Sequence, residues 1–515
     1  MIGAMAASPD TPRPPPADEF FTLADRIALH ARLRPEAPCL ADRATAIDLA
    51  TLDATMDRIA AGLQRDRIAA GESVAVAAGT TVGALTVFLG ALRAGCVAVP
   101  LGTNVPAATF RSMLADAGAQ ILFADPAGAA LAEGAGVPVV AIDSADAWLP
   151  PIGARPAPVR ITPDMPFNII YSSGTTGTPK GIVQPHGMRW RHVMRGADSG
   201  YGPEATTLIA TPLYSNTTLV SLLPSLAWGG RVVLMEKFDV DRYLALAEAE
   251  RATHTMLVPV QYRRLLDAPR FSSHDLSAFR MKFCTSAPFA AALKAEILAR
   301  WPGGLVEYYG MTEGGGTCVL RAHERPDKLH TVGQPSEGHD IRVVDEAGRE
   351  LARGAAGEVV GHSGAMMTGY HGQPAKTAEA EWFEPATGKR FVRTGDVGRF
   401  DDEGFLVLMD RRKDMVISGG FNVYPSDLEA VLAAHPAVAE AAVVGVPSER
   451  WGETPVGFVV ARAGMALDTT DVLDWANDRL GKTQRLAALH ALDALPRSPI
   501  GKVLKTELRR AALAP

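Results

Sequence analysis

The 515-residue sequence contains only four cysteines, Cys39, Cys96, Cys284 and Cys318, set far apart. That spacing supports neither a Cys-x-x-Cys metal site nor a disulfide framework, so a reducing, cytoplasmic compartment is expected. The plain reading of the four is small core or lining residues. No stretch approaches the roughly 18 to 20 uninterrupted apolar residues that a spanning helix needs, so no membrane span is expected. Basic excess is missing as well. A formal net charge of −6 argues against nucleic acid as the main partner, because a basic surface is the footprint there. The first twenty residues carry Pro12, Pro14, Pro15 and Pro16 without an apolar run, and residues 1–20 read as a disordered tail rather than a signal peptide.

What the chain does have is length and an alternating pattern. Its length suggests about two to four domains, and 47% hydrophobic residues suffice for substantial cores. From Phe21 to about Ile142, helical and strand patterns alternate. Leu52, Met56, Ile59 and Leu63 recur at helical spacing, with Gly71 as the expected stop. Strands follow at 73–77, 96–99, 121–123 and 137–142, with helices at 82–92 and 107–117. Beyond a Pro-rich link at 149–158 the alternation resumes, with strands at 208–210, 231–235, 256–258, 281–284 and 305–309. The fold class is therefore α/β, with largely parallel, doubly wound sheets covered by helices. Ligands then belong beyond the carboxyl ends of the strands, in loops 212–218, 285–288 and 310–316. From about 335 to 409 shorter strands and a hairpin around Asp402-Glu-Gly404 predict a small β-rich subdomain. Residues 410–515 predict a small α+β domain, with Ser426 capping a helix to Ala433. The large N-terminal domain is set at 21–409.

One stretch stands apart: Tyr171-Ser-Ser-Gly-Thr-Thr-Gly-Thr-Pro-Lys-Gly181, after the apolar run Phe167-Asn-Ile-Ile. Glycines let backbone N–H groups approach an anion, hydroxyls add donors, and Lys180 adds a point charge. The composition is that of a phosphate cradle, or of a flexible surface loop. It is not the usual P-loop, since no Ser/Thr follows the lysine to hold magnesium. Four further stretches bear chemistry. Tyr309-Gly-Met-Thr-Glu313 offers a hydroxyl and a carboxylate at a strand end, or merely a helix start capped by Thr312. In Arg393-Thr-Gly-Asp396 the carboxylate is a bidentate acceptor for a diol, or a solvated turn residue. Asp410-Arg-Arg-Lys-Asp414 falls where the architecture changes, as a hinge or a solvated linker. Pro496-Arg-Ser-Pro-Ile-Gly-Lys502 places a lysine on a proline- and glycine-shaped loop, although a lone lysine near a C-terminus is usually just exposed.

Together with Leu89-Gly-Ala-Leu-Arg-Ala-Gly95 and Ser418-Gly-Gly-Phe-Asn-Val-Tyr-Pro425, these stretches resemble, in order, the motifs of the adenylate-forming superfamily of acyl-CoA synthetases, nonribosomal-peptide adenylation domains and luciferases. The match is closest to the acyl-CoA synthetase branch. The resemblance implies ATP, Mg²⁺ and coenzyme A as cofactors and a small carboxylic acid as substrate, and a homodimer is compatible with it. It implies ATP or AMP contacts at Ser172, Ser173, Gly174, Thr175, Thr176, Gly177, Tyr309, Gly310 and Thr312, with Asp396 and Arg411 on the ribose. Glu313 would hold Mg²⁺, and Lys502, Lys180, Thr312 and Glu313 would serve catalysis. Lys413 would be the pivot of a mobile C-terminal domain, although aspartate is commoner there. Gly419 and Gly420 would line the thiol tunnel.

By position, the acyl pocket is expected near Tyr214, Asn216, Ser286, Ala287, Met311 and Gly315. Tyr214-Ser215 departs from the family's aromatic-histidine pair, which puts the gate between acyl pocket and thiol tunnel in question. Gly314, Gly315 and Gly316 read as leaving space, and no arginine falls in these loops, so an aromatic or medium-to-long aliphatic monoacid is expected. The implied reaction is acid plus ATP to acyl-AMP and pyrophosphate, then acyl-CoA and AMP. Loading of a carrier protein, a luciferase-like oxidation and a non-catalytic nucleotide-binding regulator are the alternatives.

Overall fold

A computed structural model of the chain describes residues 19–172, 180–411, 414–418, 421–481, 484–498 and 501–513. Among them, the large α/β part is built on two sheets. The seven-stranded sheet runs, in spatial order, 369–370, 180–185, 166–172, 97–100, 73–77, 119–124 and 139–141. Its five last-named strands are parallel, and the first two are added antiparallel. The nine-stranded sheet has a parallel centre, 304–309, 281–284, 254–257, 206–209, 231–234 and 38–41, with antiparallel strands at both edges.

Alternation along one strand shows how the sheets are sandwiched. In Ser73–Ala77, Val74 and Val76 face a core shared with helices Leu23–Leu33, Leu49–Arg65, Val82–Arg93 and Asn216–Ala227, which lies between the two sheets. Ala75 and Ala77 face an outer core with Phe110, Met113 and Leu114 of helix Ala107–Asp116. Period-2 side-chain placement thus buries both faces of one strand, as parallel sheets require. Helices Val240–Ala249, Pro259–Leu266 and Ala291–Arg300 cover the far face of the nine-stranded sheet.

The carboxyl end of the central helix Asn216–Ala227 is held by side chains on and just after the first helix, two guanidinium groups and the neutral His30 ring. Arg26 and His30 bond Ala227 O at 3.2 and 3.0 Å, and Arg34 bonds Gly229 O at 2.8 Å. These groups satisfy terminal carbonyls and oppose the negative end of the helix dipole.

The expected β-rich part is present as a five-stranded sheet of 340–344, 357–362, 381–383, 390–400 and 406–411. The expected hairpin joins its last two strands. A final five-stranded sheet with three helices, Pro425–Ala433, Thr469–Asn477 and Lys505–Leu513, forms the smaller C-terminal part. No helix among the described residues is long and apolar enough to cross a membrane.

Several local expectations are corrected. The second helix stops at Arg65, well before Gly71, and the chain turns at Arg67 with φ 62°. Ser426 is not a cap: its helix begins at Pro425, and the Ser426 hydroxyl instead donates to Met409 O. The tail reading extended to residue 20, yet Glu19 O accepts from the Trp190 indole at 2.7 Å and Phe20 packs edge-on against that ring.

Candidate active site

Residues Tyr309 to Glu313 follow the strand Gly304–Tyr309, at the carboxyl end of the parallel strands. They form a turn and not a helix start, because the chain folds straight back into the antiparallel strand Cys318–Arg321. At one end of the segment, the buried Tyr309 hydroxyl donates to Asp396 at 2.9 Å. Burial first, then the neighbouring carboxylate, push this phenol well above its ordinary range. The other Asp396 oxygen takes Arg411 Nε at 3.1 Å. Cross-strand register explains this pairing, since Asp396 and Arg411 stand opposite each other in the β-rich sheet. The ATP/AMP-contact candidate Tyr309 and the ribose candidates Asp396 and Arg411 are therefore one constellation.

At the other end, Glu313 accepts a hydrogen bond from Tyr370 at 2.8 Å. The Lys180 ammonium lies 4.9 Å from the centre of the same Tyr370 ring. Tyr370 reaches both because the short strand 369–370 pairs with 180–185, placing it opposite Ile182. Burial raises the Tyr370 phenol, and the Glu313 carboxylate adds to the effect, so it stays a neutral donor. Lys180, at the end of the phosphate loop, and Glu313 thus share one aromatic partner. Tyr370 carried no signal in the sequence, being a single aromatic far from either motif.

The segment is fixed from beneath by a buried polar network. Gln184 Nε2 donates to Thr312 O at 2.6 Å, and Gln184 Oε1 accepts from Asn168 at 2.9 Å. Arg189 donates to Asn168 Oδ1 at 2.9 Å, to Asn216 Oδ1 at 2.8 Å and to Gln184 Oε1. Residues 184–187 look like a polar turn in sequence. In the structure Gln184 belongs to the strand 180–185 and the helix starts at His186, so the polar side chains serve the interior. Asn168 and Gln184 are both fully buried.

Of the acyl-pocket candidates, Met311 and Gly315 lie in or next to this segment, and Asn216 is linked to it through Arg189 and Gln184. The Thr217 hydroxyl, one residue past Asn216, bonds Ser286. Ser286 has φ 82°, rare for a residue with a Cβ and a form of strain that tends to mark functional loops. Tyr214 points toward Asn104, and Met311 and Ala287 are half-buried. The three glycines do not leave the space expected of them on one side. A Cβ on Gly314 would lie 2.1 Å from Ala365 O, on Gly315 2.8 Å from Gly361 O, and on Gly316 2.3 Å from Ile341 Cγ1. They permit close packing against residues 361–366, seen also in Gly315 N–H donating to Ala365 O and Ser363 donating to Gly315 O.

Lys502 lies on an exposed turn closed by Ser498, whose hydroxyl accepts the Lys502 N–H at 3.1 Å. Next to it, Gly501 has φ 78° and packs so that a Cβ there would meet Val260 Cγ1 at 2.8 Å. Val260 sits just past the strand His254–Leu257, so this loop of the C-terminal part docks on the strand-end crevice. Residues 173–179, Lys413, Gly419 and Gly420 lie outside the described residues. So does the side chain of Ser172, whose backbone pairs with Lys180.

Among the described residues no three His, Cys, Asp or Glu side chains converge as a metal cluster. A lone carboxylate at Glu313 suits Mg²⁺, which commonly takes one or two protein carboxylates and completes its shell with water and substrate phosphates.

The family model for AMP-binding enzymes matches residues 27–371, and that for the AMP-binding enzyme C-terminal domain matches residues 427–502. A feruloyl-CoA synthase from Amycolatopsis is 35% identical over 93% of this chain and 97% of its own length. A fatty acid–[acyl-carrier-protein] ligase from Streptomyces coeruleorubidus is 32% identical over 95% and 96%. The crystal structure of ATP-bound MatB from Rhodopseudomonas palustris superposes with a TM-score of 0.85 at 31% identity, covering 95% of this chain and 99% of that one. With its crevice built on the Tyr309–Glu313 turn and matched along nearly its whole length, the chain belongs to the adenylate-forming, AMP-binding enzyme family.

Proposed function

We propose that the protein is an AMP-forming carboxylate–CoA ligase acting on an aromatic or medium-to-long aliphatic acid. The observation that carries this reading is the two-ended turn: Tyr309 leads to Asp396 and Arg411, and Glu313, four residues on, leads to Tyr370 and Lys180. A nucleotide laid along it would have its ribose at one end and its phosphates at the other.

In the first half-reaction a carboxylate oxygen of the acid attacks the α-phosphorus of ATP, and the bond to the pyrophosphate oxygen breaks. Asp396 accepts the ribose hydroxyls and fixes the nucleotide lengthwise. Thr312 donates to an α-phosphate oxygen. Lys180 and Lys502 face the negative charge that builds on the phosphoryl oxygens, which lowers the barrier selectively if the cations are set before the reaction. Glu313 would hold Mg²⁺, which would add charge neutralisation on the phosphates. In the second half-reaction the C-terminal part turns about Lys413, withdraws Lys502 and presents Gly419 and Gly420. A thiolate sulfur attacks the acyl carbonyl carbon, and AMP leaves with the former carboxylate oxygen.

The test is a panel of carboxylic acids, each with ATP, Mg²⁺ and CoA. Pyrophosphate, AMP and acyl-CoA should appear in equal amounts with a subset of acids. Release of ADP and phosphate, or no release with any acid, would overturn the proposal. A second reading, transfer to a carrier protein, is favoured by the likeness to the carrier-protein ligase. It predicts thioester formation on phosphopantetheinylated carrier protein and not on free CoA.

A further inference from the structure

The expectation of a monoacid rests on the lack of arginine in the pocket loops. The structure delivers arginine from another element, the helix His186–Arg195. Arg189, only 2% exposed, touches Asn216, a candidate pocket residue, and all its acceptors there are neutral amide oxygens. His192 lies beside it at 3.5 Å. One turn further on, Arg195 holds its Nη1 nitrogen out of water with no acceptor. Its neighbours are His192, His339 and Tyr308. His339 in turn accepts the Thr317 N–H at 2.9 Å, directly after the three-glycine stretch.

The group therefore borders the expected acyl pocket from two sides, through Asn216 and through Thr317. Among the described residues, none of Arg189, His192, Arg195 and His339 forms an ion pair with a carboxylate. Burial and mutual repulsion hold both histidines below their ordinary range, His339 at about 4, so the positive charge resides on the arginines. A buried guanidinium without a counter-ion is costly. The amides account for Arg189, which serves as a positioning residue for the Thr312 segment. They do not account for the unused donor on Arg195.

We propose that Arg195 anchors a second, distal carboxylate on the acid that this enzyme activates. The reacting carboxylate lies at Thr312 and Glu313, and the remote one reaches the wall formed by the helix His186–Arg195. The substrate class is then an aromatic or extended aliphatic acid with an anionic far end. This rests on the ligase reading above.

The experiment measures acid-dependent pyrophosphate release for matched sets. Straight-chain α,ω-dicarboxylates of four to ten carbons are compared with monocarboxylates of equal length, and 4-carboxycinnamate with cinnamate and with its distal methyl ester. A charge-assisted hydrogen bond to the water-excluded Nη1 of a partly buried guanidinium predicts at least about a 10-fold preference in kcat/KM for one diacid length over its monoacid. Arg195→Met should abolish that preference ratio, and Arg195→Lys should restore part of it, with melting temperature read alongside. Monoacids turned over as well as or better than every diacid would overturn the anchor alone. A ratio unchanged in Arg195→Met would also overturn it, as would a methyl ester equal to the free diacid. No pyrophosphate with any acid would overturn the ligase reading together with the anchor.

Discussion

On the proposed ligase reading, Gly501 offers a way to separate the two half-reactions without touching Lys502, the proposed catalytic lysine. The Gly501→Ala methyl would lie 2.8 Å from Val260 Cγ1, a separation that carbon atoms do not tolerate without movement. Overpacking by one methyl costs about 1–3 kcal/mol. The penalty arises while the Lys502 loop packs on Val260, and on the proposed reading that docked state is the one that adenylates. That corresponds to roughly a 5- to 150-fold fall in the rate of pyrophosphate release. The positive φ of 78° adds strain in every state and should appear as lower stability, not as selectivity. ATP–pyrophosphate exchange reads the first half-reaction, and thioester formation from supplied acyl-AMP reads the second. A second-site change, Val260→Ala, removes the obstructing carbon and should recover most of the loss. Equal losses in both half-reactions would refute the reasoning, as would a loss that Val260→Ala fails to relieve.

Three further predictions concern the turn and the interior. Asp396→Ala, in protein shown to be folded, should raise the apparent Kd for ATP about 30- to 150-fold by deleting charge-assisted acceptors, and an unchanged affinity would remove Asp396 from the ribose site. Tyr370→Phe keeps the ring beside Lys180 and deletes the hydroxyl bonded to Glu313. A loss of roughly 1 kcal/mol, or about fivefold in adenylation kcat/KM, should follow, with Tyr370→Leu losing more. His30, His186, His254 and His339 are each pushed down to about 4, chiefly by burial. Between pH 4 and 6.5 the unfolded chain therefore binds more protons than the folded one, so their stabilisation is complete above about pH 6.5 and is lost as pH falls toward 4. Thermal melts across this window should show a steady decline, and a flat profile would contradict the burial of these rings.

Much of this architecture was legible because it depends on local rules. The strand Met281–Cys284 and the start of helix Val82–Arg93 coincide with the apolar pattern, and the hairpin at Asp402-Glu-Gly404 with its turn residues. The site motifs were legible because each is a contiguous string. Tyr370, Asn168, Gln184 and Arg189 were not. Their roles follow from tertiary placement: Tyr370 is laid against Ile182 from 188 residues away, and the Asn168–Gln184–Arg189 network finds its use only where Gln184 meets Thr312, 128 residues on. Polarity also misled. Gln184 to Gly187 looks solvated by composition, yet Gln184 and Arg189 are buried because each polar atom finds an amide or carbonyl partner.

Gly314, Gly315 and Gly316 show the limit most clearly. A glycine in a sequence states that a Cβ is not tolerated, and leaves open whether the room goes to a ligand or to a neighbouring backbone. At these positions the Cβ directions are filled by Ala365 O, Gly361 O and Ile341, so the glycines bring the β-rich sheet against the Tyr309–Glu313 turn. The same approach brings the strand holding Asp396 within reach of the Tyr309 hydroxyl. Adding a methyl at Gly314 would therefore act on the nucleotide end by displacing the sheet, and not on the acid by filling its pocket. On the proposed reading, the size of the acid is then set by other side chains, such as those on the helix His186–Arg195.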